Sequence, residues 1–252
     1  MTGQHLGIVL ISITTASTAF AQAPQTPAPT PEPPPHIYTG NFGGGLALTN
    51  GNTSTRNFNL TGALVRDPKL KSVIKTTASY LRGTTSDVLT IDRTAINLRH
   101  EYTMSKKTFI FDQLDYVRDQ FKEIIFFWAP TAGVGYKFVN TDATQFTLDG
   151  GGGGVLEKNP GLSSKKSGSV TADERFQRKL SSVATFTESL SGISKTNDFS
   201  DSLSTFTTGV TTTVSGNIQL KVEFIDTYKN KPPNSTVKKN DTAFVTTVVV
   251  KY

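Results

Sequence analysis

Cysteine is absent from the 252 residues. That excludes disulfides, thiolate metal sites and a lipid-modified cysteine anchor. Charged residues are scarce at 18%, below the usual quarter. Long apolar runs are also missing. After the N-terminus the longest is "IIFFWAP", Ile124 to Pro130, far short of the roughly 18 residues of a membrane helix. Histidine occurs three times, as His5, His36 and His100. A zinc site therefore lacks its ligands, and a Ser–His hydrolase would depend on His100 alone. His100 falls on an apolar strand face, where an interfacial histidine is the expected reading. No cofactor is indicated.

What fills the chain is Thr, Ser, Asn and Gly, a composition of strands and turns. The net charge of +6 suits anionic surfaces without choosing among them, and no fold cue points to nucleic acid. "LGIVLISITTASTAFA" followed by Gln22 reads as a signal peptide, residues 1–21, with Ala19-Phe20-Ala21 as its small-x-small cleavage site. "QAPQTPAPTPEPPP", residues 22–35, carries seven prolines in fourteen residues. It reads as a semi-rigid periplasmic linker.

Residues 36–252 alternate with period two between turn signals. Twelve strands are expected near 38–49, 54–66, 71–82, 88–103, 108–119, 124–139, 144–157, 168–180, 184–193, 202–215, 218–229 and 243–252. Connections after even strands are tight, as in "RDPK" and "MSKK". Those after odd strands include the longer 157–168, 191–200 and 229–241. An even strand count with short turns at one end and longer loops at the other predicts an all-β fold: a closed up-and-down antiparallel transmembrane barrel. Aromatics reinforce it. Tyr102, Tyr136, Phe138, Phe146 and Tyr252 fall near the short-turn end, and Tyr80, Phe126, Trp128, Phe206 and Phe224 near the other. Two such girdles fit two bilayer interfaces.

The chain ends in "AFVTTVVVKY", strand-like to its last residue. A closed membrane barrel leaves no edge in hydrocarbon, so the last strand is expected to pair with the first right to its end. Phe244, Val248, Val250 and Tyr252 form the candidate assembly signal, to be read by the barrel-assembly machinery. By parity Arg93, Arg99, Glu101, Asp173, Arg175, Lys179, Lys221 and Glu223 line the lumen. Arg or Lys facing lipid at midplane would cost about 2–4 kcal/mol.

"GNFGGGLALTNGNTSTRNFNL" (40–60), with its Gly51-Asn52-Thr53 turn, and "YVRDQFKEIIFFWAPTAGVGYKF" (116–138) resemble two hairpins of the family catalogued as domain of unknown function 481, described as salt-induced outer-membrane proteins. The resemblance implies an outer-membrane barrel over about 38–252 and carries no settled activity. Pro130 departs from the family pattern and suggests a bulge. Asp112, Asp115, Asp119 and Glu123 alternate with Arg118 and Lys122, which reads as a salt-linked strand end. "DGGGGG", Asp149 to Gly154, lacks the lysine and helix of a phosphate loop. It reads as a bent wall or one pressed by another segment. Lys158, Lys165, Lys166, Lys229, Lys231, Lys238 and Lys239 are expected in loops, either solvated or facing lipopolysaccharide phosphates. Two functions compete: a narrow passive channel or envelope-stress barrel, and a structural or surface-interaction barrel with a side-chain-blocked lumen. An outer-membrane enzyme is a third.

Overall fold

A computed structural model describes residues 37–49 and 55–251. The leader, the proline-rich stretch, the Gly51-Asn52-Thr53 turn and Tyr252 lie outside these residues. Twelve strands follow one another: β1 (Tyr38–Thr49), β2 (Thr55–Arg66), β3 (Ser72–Thr85), β4 (Val88–Thr103), β5 (Thr108–Asp119), β6 (Ile124–Asn140), β7 (Thr144–Lys158), β8 (Lys165–Lys179), β9 (Ala184–Lys195), β10 (Asp198–Ser215), β11 (Ile218–Lys229) and β12 (Asn240–Lys251). Each pairs antiparallel with its neighbours, and β1 pairs with β12 to close the barrel. The start of β1 and the end of β12 share one rim, the terminal end; the other rim is the far end.

The outward residues are apolar. Leu46, Phe58, Ile96, Leu98, Val134, Phe244, Val248 and Val250 all expose their side chains. An unbroken aromatic ladder crosses four strands near the terminal end. Ring centroids lie 4.9 Å apart for Tyr136–Phe138, 5.6 Å for Phe138–Phe146, 6.4 Å for Phe146–Phe176 and 6.1 Å for Phe176–Phe186. Nearer the far end stand Phe58–Tyr80 at 6.3 Å and Tyr116–Trp128 at 4.6 Å. An apolar band between aromatic rings is what a bilayer selects on a barrel wall.

Three expectations are corrected. The stretch 191–200 is not a loop: β9 and β10 run through it with a turn only at 196–197. Lys195 and Asp201 meet at 2.6 Å, and the β9–β10 pairing reaches the far end through an irregularity between Asp198 and Ser202. Pro130 causes no bulge. Its pairing with Leu114 is in register, and register with β7 is the same on either side of it; the β6 irregularities lie between Ile124 and Phe127 against β5 and at Lys137/Val139 against β7. A proline removes one N–H without adding a residue, so a rung can lapse while the count is kept. Finally, the seam is partial. It reaches Lys251, paired with Asn41, but ends at Gly44↔Val248. Beyond that, Gly45 to Thr49 pair only with β2, and Asn240 to Thr247 only with β11. The Asn59 side-chain amide spans the parting strands by donating to the Thr246 carbonyl at 3.2 Å. A Cβ on Gly45 would come within 2.2 Å of that same oxygen, so only glycine fits there.

Candidate functional site

The inward residues cross the barrel instead of merely lining it. Near the terminal end, Glu101 on β4 accepts from Lys75 on β3 at 2.7 Å and from Arg99 at 2.8 Å. Arg99 also reaches Asp149 on β7 at 3.2 Å, and Arg175 on β8 hydrogen-bonds the same carboxylate. The Arg99 guanidinium lies 3.9 Å from the Phe111 ring centroid, a stacking that Arg's planar group favours. Phe109 and Phe111 are inward-facing and almost wholly buried. Their room comes from glycine. A Cβ on Gly135 would lie 2.1 Å from Phe109 Cζ, and one on Gly133 would lie 2.8 Å from Phe111. The Asp149–Gly154 run has the other anticipated role as well. At Gly151 and Gly153 a Cβ would meet β6 backbone at 2.4 and 2.0 Å, so the wall is sharply curled there.

Arg93 forms a brace toward the far end, in register with Asp119. It leaves β4, hydrogen-bonds the Thr227 hydroxyl on β11, and lies 3.5 Å from Thr205 on β10. Asp119 stands 4.0 Å from it. In a twelve-strand ring β4 and β11 are nearly opposite, so one side chain spans the bore. A cavity of about 300 Å³ lies on one side, lined by Asn97, Arg99, Thr171, Asp173 and Thr205. Thr171 Oγ1 and Asp173 Oδ2 are buried without a protein partner, so this cavity is polar and roomy enough for water. A second cavity of about 710 Å³ is lined by Arg93, Asp119, Leu81 and Ile225, and also by the outward-facing Leu46, Phe58, Phe244 and Val248. It opens sideways through the unpaired part of the seam.

The far end is braced twice. Glu157 on β7 accepts from Lys195 on β9 at 2.5 Å and from Lys229 on β11 at 3.1 Å, and Asp201 meets the same two ammoniums at 2.6 and 3.0 Å. In the β5–β6 turn, Asp119 accepts from the amides of Phe121 and Lys122. This aims Lys122, 0% exposed, at Asp241 (2.9 Å) and at the carbonyls of Lys238 and Lys239. Asn234 donates to Glu123 at 2.6 Å. The 230–239 connection is thereby tied across the mouth. Apolar packing from Ile124, Phe127, Ala129, Val155 and Leu203 fills space beneath it.

Of the residues expected in the lumen, Arg93, Arg99, Glu101 and Arg175 join these braces. Asp173 lines the smaller cavity, and Lys221 pairs with Glu223 at 2.6 Å. Lys179 is exposed at the terminal rim. Phe244, Val248 and Val250 face outward. Lys229, expected in a solvated loop, is instead buried in the Glu157 cluster. Its odd-numbered place after Lys221 and Glu223 is the parity signal that marks it. Lys75, Asp149, Glu157 and Lys195 escaped notice for want of a contact visible in sequence. Among the described residues no group of His, Cys, Asp and Glu could hold a metal ion.

The closed antiparallel ring with its apolar outer face is a transmembrane β-barrel. The chain belongs to the family described as protein of unknown function DUF481, whose model matches residues 43–252. No curated protein matches its sequence. Among solved structures it is similar to the translocator domain of the autotransporter NalP from Neisseria meningitidis, at 13% identity over 85% of this chain and 86% of that one, TM-score 0.46. It is also similar to the CymD monoaromatic hydrocarbon channel, at 9% identity over 85% and 87%, TM-score 0.41. A third is a Pseudomonas aeruginosa FadL homologue, at 8% identity over 85% and 74%, TM-score 0.34.

Proposed function

We propose that this is an outer-membrane barrel, exported by its N-terminal signal, whose lumen is closed to free axial passage and which acts through its surfaces. The Arg93 brace carries the reading: one guanidinium ties β4 to the nearly opposite β11 and divides the bore. The tied 230–239 connection supports it. In this reading the terminal end is periplasmic, lipid surrounds the wall, and lipopolysaccharide and the barrel-assembly machinery are its partners. The test is single-channel conductance of refolded protein in planar bilayers. Wild type is expected to be silent or nearly so, and a variant that removes a brace at each level, Arg99→Ala with Arg93→Ala and Lys122→Ala, to conduct. Steady wild-type currents with a reversal potential sensitive to Arg93→Ala and Lys221→Ala would replace this reading by an axial channel.

A second reading, sideways transport, is favoured by the partial seam. A cavity of about 710 Å³ is within the ~300–1,000 Å³ of small-molecule sites, and its outward rim of Leu46, Phe58, Phe244 and Val248 suits an apolar solute. Cross-linking Leu46→Cys to Thr246→Cys would block such uptake and leave the closed-barrel reading untouched.

A further inference from the structure

His100 is the one histidine among the described residues, and it faces the lipid side with Ile96, Leu98 and Tyr102. It is not alone. Ser72 Oγ lies 2.8 Å from its Nε2, and Asp112 Oδ1 lies 2.9 Å from its Nδ1. With the proton on Nδ1, His100 donates to Asp112 and accepts from the Ser72 hydroxyl. A nucleophile, a base and a group that orients the base are therefore joined in order, the relation that defines a catalytic triad whatever the fold. We propose that Ser72, His100 and Asp112 are the catalytic residues of a hydrolase on the outer wall of the barrel, acting on carboxylic esters of membrane lipids.

Depth selects the substrate. Ser72 opens β3 at the terminal rim, and Tyr102 stands directly across from it in register. Tyr102 belongs to the aromatic level that marks the water–hydrocarbon boundary, which is where the ester groups of lipids lie. The cost of the cluster argues in the same direction. Three polar side chains on a wall otherwise bearing Ile96, Leu98, Tyr102 and Ile110 lose hydration in lipid. Apolar residues would serve the wall better if packing were the only need. Arg66 stands in the same cross-strand row, Arg66↔Ile74↔His100, and gives this face a cation for a lipid phosphate. Beside it, the turn at 67–71 is set by Lys69, whose ammonium and amide hydrogen-bond Asp67 at 3.0 and 2.8 Å. That bond holds Asp67 below the ordinary carboxylate range.

The chemistry balances with water as the only co-substrate. Ser72 Oγ attacks the ester carbonyl carbon while His100 Nε2 takes its proton. The tetrahedral intermediate expels the lipid alcohol, which leaves with the proton from Nε2. Water, deprotonated by the same nitrogen, then cleaves the acyl-serine. The fatty acid departs, and the Ser72 hydroxyl is restored. Asp112 keeps the ring oriented and stabilises the imidazolium in both halves.

The test uses the refolded full chain in vesicles of phosphatidylethanolamine and phosphatidylglycerol, and in vesicles containing lipid A, so that the two sources of ester are told apart. Fatty acid is expected from one of them, and an alkyl fluorophosphonate should phosphonylate Ser72 with loss of fluoride. Ser72→Ala and His100→Gln should each lower release by about 10³-fold or more, while both variants stay heat-modifiable on gels. Asp112→Asn should lower it less and displace the pH profile, which a merely structural carboxylate would not do. Fatty acid from neither lipid, unchanged release by Ser72→Ala, or labelling of another serine overturns the proposal.

Discussion

Glu157→Gln should be among the most destabilising single substitutions in this barrel. The change keeps the shape of the side chain and removes only its charge. Glu157 is 2% exposed and answers two ammoniums, Lys195 at 2.5 Å and Lys229 at 3.1 Å. After the change only Asp201 remains to neutralise them. One positive charge is left over in a site that excludes most water, a situation that costs about 3–5 kcal/mol when a buried pair is broken. The assay is denaturant unfolding of refolded protein in detergent micelles, followed by Trp128, the single tryptophan, which pairs in register with Leu156 beside the cluster. The midpoint should fall with the slope unchanged, the signature of lost stability. A cycle adds a sharper condition. In a Lys229→Met background the excess ammonium is gone, so Glu157→Gln should cost less, by roughly 0.5–3 kcal/mol. Lys231→Ala, which breaks an exposed pair with Asp198, should leave the midpoint where it is. If Glu157→Gln moves the midpoint by less than about 1 kcal/mol, the cluster is hydrated and the far-end brace is not one.

Two further outcomes follow from the packing. Gly135→Val should overfill the wall under Phe109, costing about 1–3 kcal/mol or more, and Phe109→Leu should recover part of the loss in folded yield; Gly154→Ala, whose new carbon meets nothing nearer than 3.7 Å, should fold normally. Deleting Val250 to Tyr252 removes the Phe42↔Val250 and Asn41↔Lys251 rungs and leaves only Gly43↔Val249 and Gly44↔Val248 at the seam, so the heat-modifiable band should vanish from the outer-membrane fraction, and its survival at wild-type level would show that the seam does not depend on those rungs.

Which residues face out and which face in was legible in the sequence; which inward residues meet was not. Lipid imposes one requirement on every second residue, so Ile96, Leu98 and Tyr102, or Ile218, Leu220 and Val222, announce their face by spacing alone. Strand ends were less legible where side chains, not turn residues, set them: Lys195 and Asp201 carry β9 and β10 through a stretch rich in Ser, Gly and Asn. Inside, the contacts that matter join strands far apart in the ring. Glu157 and Lys229 are 72 residues apart, and Arg93 and Thr227 are 134 apart. No local pattern encodes those distances. His100 falls between the cases. Its outward face was readable, and its register partner Asp112 is reached across the short "MSKK" turn. Ser72 lies diagonally on the next strand, opposite Tyr102, so it emerges only once the β3–β4 register is known.

The braces also bear on where activity can reside. A twelve-strand ring is wider than the eight-strand barrels that side chains just fill, and it must be either watered or crossed. Here charged side chains cross it at the terminal end, at Arg93 and at the Glu157 cluster. Phe109 and Phe111 occupy glycine-made space at the terminal end beside Arg99. In the proposed closed-lumen reading, such an interior holds the wall in one shape and gives a solute no straight path. What remains accessible is the side opening above Gly44↔Val248 and the lipid-facing surface. On that surface most side chains are apolar, as the bilayer requires. Polar groups there carry a desolvation cost, and Ser72, His100 and Asp112 stand together at the membrane boundary, hydrogen-bonded in the order that acyl transfer needs.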